Sequence, residues 1–298
     1  MKKIYILLIV LSLVFVKNTF SQDLLDEFGP DVKSKAFTYA AFKTSRIIIG
    51  QSIESPAKGN LNFSISHHFG ALNDGPYGFY GLDRSTIRIG LEYGINDRLS
   101  VGLGRSSLQK TIDGFVKYKI LRQTTDNRMP ISLSYYCDVA ENGLHWSHPE
   151  WNNYFTSRLS FVHQLLIARK FSNSFSFQLT PSLVHKNLVV LNSDPNDIVT
   201  IGGGGRYKLS KRMSVNAEYH YILNSQTRKD YDNSLSFGLD IETGGHVFQF
   251  FVTNSQPLFE RGFLTETQGT WGKGFVYFGF NIIRTFTIVK PKGFRKAD

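Results

Sequence analysis

The chemistry available to this 298-residue chain lies mostly in ionisable side chains set at every second position of apolar segments. Thr86, Arg88, Gly90, Glu92 and Gly94 alternate with Ile87, Ile89, Leu91, Tyr93 and Ile95. Successive side chains of a strand point to opposite faces, so one face here is charged or small and the other wholly apolar. The same count along the chain places Arg88, Glu92, Lys117, Lys119, Arg158, Lys186, Arg206, Lys208, Glu218, Asp240 and Glu242 on the polar faces. Charges converging from several strands can line a solute path, with the modest excess of cations favouring anions. They can equally pair across a narrow interior and close it. Because acids and bases occur together, closure by ion pairs has the edge.

Other reactive groups carry less. His145-Trp146-Ser147-His148 with Glu150 offers two imidazoles and a carboxylate, a partial transition-metal set. Pro149 keeps this stretch from being a helix, so the spacing has no fixed geometry, and a third ligand is lacking; an aromatic polar loop is the better reading. By parity His68 points inward and His67 outward, so the two cannot share a metal without a bulge. His163 and His185 fall on the outer face, where an amphipathic ring suits an interface. Gly202–Gly205 lacks the Lys-Ser/Thr of a phosphate loop and reads as relief of crowding or a bend within a strand. No Gly-x-Ser-x-Gly segment is present. The expectation is therefore a non-enzyme, with no catalytic residue, no metal and no cofactor.

The elements that would position these side chains are strands. Alternating segments fall at about 42–54, 60–69, 85–95, 98–105, 111–123, 129–137, 154–170, 174–191, 197–209, 212–223, 233–242, 246–253 and 274–286. Single-chain bacterial barrels have even strand numbers, so one of these thirteen is surplus, at the N-terminus or near 246–253. Twelve to fourteen strands are expected. Asn96-Asp97, Ser172-Asn173, Ser210-Lys211 and Thr243-Gly244-Gly245 read as tight hairpins, and longer segments lie between them. A soluble sandwich also alternates. The long apolar faces, rich in an aromatic complement of 14%, and the short-then-long rhythm of connections favour lipid outside and a polar interior. The fold class expected is all-β: a single antiparallel transmembrane β-barrel.

Lys2 and Lys3 precede an apolar run, Ile4 to Val16, too short to span a bilayer, and Thr19 and Ser21 suit cleavage before Gln22. The expected organisation is a signal peptide at 1–21, a lead segment at 22–41 and an outer-membrane barrel at 42–298. Asp23 to Lys35 reads as a short helix or a flexible lead. No cysteine follows the apolar run, which closes the lipoprotein route, and the single Cys137 excludes an internal disulfide. The net charge of +10 falls to about +7 once Lys2, Lys3 and Lys17 leave with the signal. An exported chain seldom meets nucleic acid, so the basic balance points to anionic head groups or solutes. The partners expected are outer-membrane lipid and small polar solutes, with protein partners unspecified.

Leu61-Asn62-Phe63-Ser64-Ile65-Ser66-His67-His68-Phe69-Gly70, Gly81-Leu82-Asp83, the stretch Gly94-Ile95-Asn96-Asp97 through Gly104-Arg105-Ser106-Ser107, and Gly279-Phe280-Asn281 resemble a family of uncharacterised Bacteroidota outer-membrane β-barrels that carry a domain of unknown function. Where that pattern has Arg after the first histidine, this chain has His68. The resemblance implies an outer-membrane barrel and supplies no activity or catalytic residue. Two roles stay open: a channel for small polar or anionic solutes, and a non-conducting barrel serving as scaffold or binding surface through its long external loops.

Overall fold

In the computed structural model, residues 36–189, 191–223 and 231–290 are described, and the compact unit begins at Phe37. The signal-peptide reading of 1–21 and most of the lead at 22–41 lie outside these residues. Twelve strands follow: β1 Asn60–Ala71, β2 Ser85–Gly94, β3 Leu99–Ser106, β4 Ile112–Leu121, β5 Ser132–Glu141, β6 Leu159–Lys170, β7 Phe175–Lys186, β8 Asp197–Lys208, β9 Met213–Ile222, β10 Ser234–Thr243, β11 His246–Thr253 and β12 Tyr277–Thr287. Each pairs antiparallel with its chain neighbours, and β1 pairs with β12 from Asn60↔Thr287 to Ala71↔Tyr277, closing the barrel. Closure leaves no strand edge unpaired, which alternating segments with lipid on one side require. No helix among the described residues is long and apolar enough to cross a membrane.

Side-chain parity runs as the alternation dictates. In β2, Thr86, Arg88, Gly90 and Glu92 are buried inside, while Ile87, Ile89 and Leu91 are exposed outside. Phe175, Phe177, Tyr219, Phe237, Phe250 and Phe278 continue that apolar exterior around the wall. Connections at one end are short, at 95–98, 171–174, 209–212 and 244–245, with 122–131 longer; the other end carries 72–84, 142–158 and 254–276.

The segment at 42–54, expected as a strand, is not part of the wall. It folds into a hairpin inside the barrel, with an isolated bridge Arg46↔Gln51 and backbone bonds Ile47 N–H to Gly50 O and Ser52 N–H to Ser45 O, both 2.9 Å. The β1–β12 seam already takes both edges, so the alternation of 42–54 has no strand to pair with. This resolves thirteen segments into twelve. Three boundaries also move: β5 continues past Cys137 to Glu141, β6 starts at Leu159 rather than 154, and β7 ends at Lys186 rather than 191.

The interior is not uniformly polar. Phe115, Tyr136, Val162, Leu166, Val184 and Phe251 point inward and are buried. They form one apolar cluster with Phe42, Ile47, Ile48, Ile49 and Ile53 of the hairpin and with Leu258, Phe263 and Leu264 of the β11–β12 connection. That connection folds inward around the short helix α1, Glu260–Thr265, every residue of which is buried. Burying each large aliphatic or aromatic side chain is worth about 1.5–3 kcal/mol, so the inserted segments and the inward apolar positions stabilise one another.

Candidate functional site

Two inserted segments enter the lumen from opposite ends, and the hairpin is held there through its backbone groups by wall side chains. At the short-turn end, Arg206 of β8 donates to Ala40 O at 3.0 Å and Ala41 O at 3.2 Å. Lys170 Nζ donates to Tyr39 O at 2.9 Å, and Lys43 pairs with Glu242. Deeper in, the hairpin tip meets the wall on several sides. Gln249 of β11 donates to Ile47 O at 3.1 Å, Asn281 of β12 to Ile48 O at 2.9 Å, Gln178 of β7 to Gln51 O at 2.8 Å and Lys117 of β4 to Glu54 O at 2.9 Å. Glu218 of β9 accepts from Ile49 N–H at 2.7 Å and Gly50 N–H at 3.1 Å. A buried backbone polar group must find a partner, and here the strands supply them.

Glycine makes room for the hairpin. A Cβ on Gly204, which faces inward in β8, would lie 2.5 Å from Ile47 Cδ1, and one on Gly202 would lie 2.5 Å from His220 Nδ1. The glycine run therefore relieves crowding, and the crowding comes from the inserted hairpin and from His220.

From the long-loop end, α1 descends to meet the hairpin. Glu260 Oε1 accepts from Gln51 Nε2 at 2.7 Å and pairs with Arg46 Nη2 at 2.9 Å. Burial would push the Glu260 carboxyl up, but Arg46, Arg88 and the Gln51 amide outweigh it and hold it below the ordinary carboxylate range. His68, fully buried, engages Gln256 O through Nδ1 at 3.0 Å and ties the same connection to β1. His67 faces outward and stacks on Phe280.

The eleven ionisable positions expected inside divide into groups. Arg88 pairs with Asp113, and Lys117 lies 3.5 Å from Glu92, which also accepts from Ser100. Arg206 donates to Ser214, which in turn donates to Asp240, and Gln249 donates to Asp240 as well. Glu218 serves the hairpin tip, and Glu242 takes Lys43 at the short-turn rim. Lys119 and Lys208 stand partly exposed near that rim, toward the ends of β4 and β8. Arg158 and Lys186 belong elsewhere: both stand at the long-loop mouth, Arg158 in the turn preceding β6.

That mouth holds a cleft of about 680 Å³. Trp146, Trp151 and Tyr154 line it together with Arg158, Lys186 and Arg261. Arg158 stacks over the Trp146 ring at 4.1 Å and donates to Asn142 O at 2.8 Å, and no carboxylate among the described residues pairs with it. Lys186 pairs with Glu266 at 2.9 Å, and Arg261 lies 3.6 Å from the same carboxylate. Burial pushes Glu266 up, yet Arg261 and Lys186 hold it below the usual range. His145 also lines the cleft; His148 bonds Glu150 at 3.0 Å and stacks on Trp151.

Arg46, Asp113, Asp138, Tyr136 and Glu260 were not among the expected interior groups. Asp113 shares the parity of Lys117 in β4, so the alternation already held it. Asp138 was lost because β5 was ended at 137. Arg46 and Glu260 lie on inserted segments, for which strand parity gives no signal.

A family model described as a membrane-bound beta barrel domain (DUF5777) matches residues 42–286. Among solved structures, the NanC porin is similar over 77% of this chain and 100% of its own, at 7% identity and a TM-score of 0.48. The KdgM porin matches over 77% and 99%, with 10% identity and a TM-score of 0.45. The COG4313 outer membrane channel from Pseudomonas putida F1 matches over 78% and 97%, with 12% identity and a TM-score of 0.46. At these identities the likeness concerns the barrel fold alone. No curated protein matches the sequence.

Proposed function

Since this chain belongs to the DUF5777 family of membrane-bound β-barrel domains, we propose that it is an outer-membrane barrel that passes no solute with its hairpin in place. In this reading it presents the long-loop cleft as a binding surface for small polar anions. The signal-like N-terminus and the alternation of short turns with long loops support the outer membrane as its location, the short turns facing the periplasm. The observation that carries the closed reading is the junction at Glu260, where Arg46 and Gln51 of the hairpin meet α1 in mid-barrel. Two inserted segments that touch each other leave no continuous aqueous path, and the apolar cluster around them excludes water further.

The cleft suits an anion with an apolar face. Trp151 and Tyr154 are each about two-thirds exposed and offer ring surfaces, while Arg158 supplies a guanidinium already oriented by Trp146.

Planar-bilayer recording of the refolded protein tests closure. The wild type is expected to give no stable unitary current, and deletion of residues 38–55 to give stepwise currents from a barrel that still shows heat-modifiable migration. Stable currents from the wild type overturn the reading. The cleft is tested by titrating tryptophan fluorescence with glucuronate and with neutral glucose; a response to the first alone, lost in Arg158→Ala, is expected.

A further inference from the structure

The richest unclaimed chemistry lies where the two inserted segments meet the wall. Asp113 of β4, Asp138 of β5 and Glu260 of α1 are all buried, and one oxygen from each lies within 4.8 Å of one from each of the others. Two of the three are half-satisfied: Asp113 Oδ2 contacts Arg88, and Glu260 Oε1 takes Arg46 and Gln51. Their other oxygens, Asp113 Oδ1 and Glu260 Oε2, have no hydrogen-bond partner, nor does Asp138 Oδ2. A fourth group points the same way. Tyr136, on the inward face of β5 two residues before Asp138, is fully buried with an unpartnered hydroxyl.

A buried carboxylate oxygen without a donor is costly, and here three stand together with a buried phenol oxygen two residues from one of them. Arg46 and Arg88 each pair with one of the three carboxyl groups, and what remains is an all-oxygen donor set on separate elements. Such a set selects a hard cation over a transition metal that prefers nitrogen or sulfur. Ca²⁺ bonds of about 2.3–2.6 Å allow its ligand oxygens to stand up to roughly 5 Å apart, which spans the cluster as it stands. Mg²⁺ demands stricter octahedral geometry than a set of side chains on three elements offers.

We propose that Asp113, Asp138 and Glu260, with the Tyr136 hydroxyl beside them, form a Ca²⁺-class cation site that fastens the β11–β12 connection to the wall at β4 and β5. The inference goes beyond the closed-barrel reading, because the site is made of these oxygens whether or not current flows.

The test is refolding of the full chain with and without Ca²⁺, followed by titration with Tb³⁺, whose luminescence is sensitised by a nearby phenol. One saturable Tb³⁺ site displaced by Ca²⁺ but not by equal Na⁺ is expected, with sensitised emission reduced in Tyr136→Phe. Asp138→Asn, which keeps the shape and removes the charge, is expected to weaken Ca²⁺ binding at least tenfold. It should also abolish the loss of thermal stability that a chelator causes in the wild type. Should Asp138→Asn fail to show heat-modifiable migration, Glu260→Gln serves in its place, since that residue lies outside the wall. Absence of saturable binding in folded wild type, equal displacement by Na⁺, or undiminished affinity in the folded variant overturns the site. None of these results alters the bilayer measurement, so failure here and failure of the closed lumen are told apart.

Discussion

Glu218→Ala isolates the bond that holds the hairpin tip. The Glu218 carboxylate accepts from Ile49 N–H and Gly50 N–H in a fully enclosed position, and no other acceptor is bonded to either donor. Truncation leaves both donors buried. A buried donor left without its partner costs about 1–3 kcal/mol, and water entering the space left by the side chain recovers part of the cost of the two. A net weakening of about 2–4 kcal/mol follows for docking of the tip, roughly 30- to 1,000-fold in the population of the undocked hairpin. The wall, held by its own ladder, is not touched. Hydrogen-exchange mass spectrometry reads this directly, because local opening sets amide exchange. Peptides covering 45–54 are expected to lose protection by that factor in Glu218→Ala, while peptides from β2 and β6 keep theirs. Glu218→Gln retains an acceptor oxygen and is expected to fall between. Unchanged protection of 45–54 in a folded Glu218→Ala barrel would refute the argument that wall side chains hold the hairpin.

Further outcomes follow from the same geometry. Gly204→Leu places new atoms against Ile47 and is expected to weaken hairpin docking by about 1–3 kcal/mol, read by the same exchange measurement. Gly203→Ala, whose Cβ would meet nothing closer than 3.4 Å on the outer face, is expected to change nothing. Glu266 is held below its unfolded value by Arg261 and Lys186 despite burial, so its contribution is complete above about pH 4.3 and is lost as pH falls through the lowered value. Protease cleavage within 254–276 is expected to rise only in that acidic window, and Glu266→Gln is expected to flatten the dependence. Lys43→Ala removes the Glu242 pair at a partly exposed rim and is expected to cost less than about 1 kcal/mol of hairpin docking in the same exchange assay.

The wall was legible because lipid on one side enforces a strict two-residue period, which β2 and β10 show without interruption. The mixed charges at Arg88, Glu92, Lys117 and Asp240 suggested ion pairs across the lumen, whereas the segments that occupy it are a hairpin and a short helix. The hairpin hid behind alternation: Phe42 to Ile53 carries apolar residues in a pattern a strand also shows, and only the occupied β1–β12 seam rules the strand out. A signal was available in the inward positions Phe115, Tyr136, Val162 and Leu166. Four large apolar side chains facing a supposedly wet lumen require something apolar to cover them. The acidic cluster was less accessible, since it assembles residues from β4, β5 and α1 that no spacing rule connects.

Both flanks of the hairpin leave the barrel at the short-turn end: residues 37–43 run beside Thr124, Lys170 and Lys211, and Ala57 and Lys58 lie against Gly94. Among the described residues the hairpin enters and leaves the barrel at the same end. Tension applied at Phe37 draws the hairpin out by breaking bonds one after another, first at Thr124, Gln123 and Lys170 and then at Arg206, with the β1–β12 seam intact. The segment at 254–276 has no such freedom, because β11 and β12 anchor both its ends and it can only lift as a flap. Mechanically, then, the two obstructions are unlike. One is extractable from below by a pull along the chain axis, the other only displaceable from above.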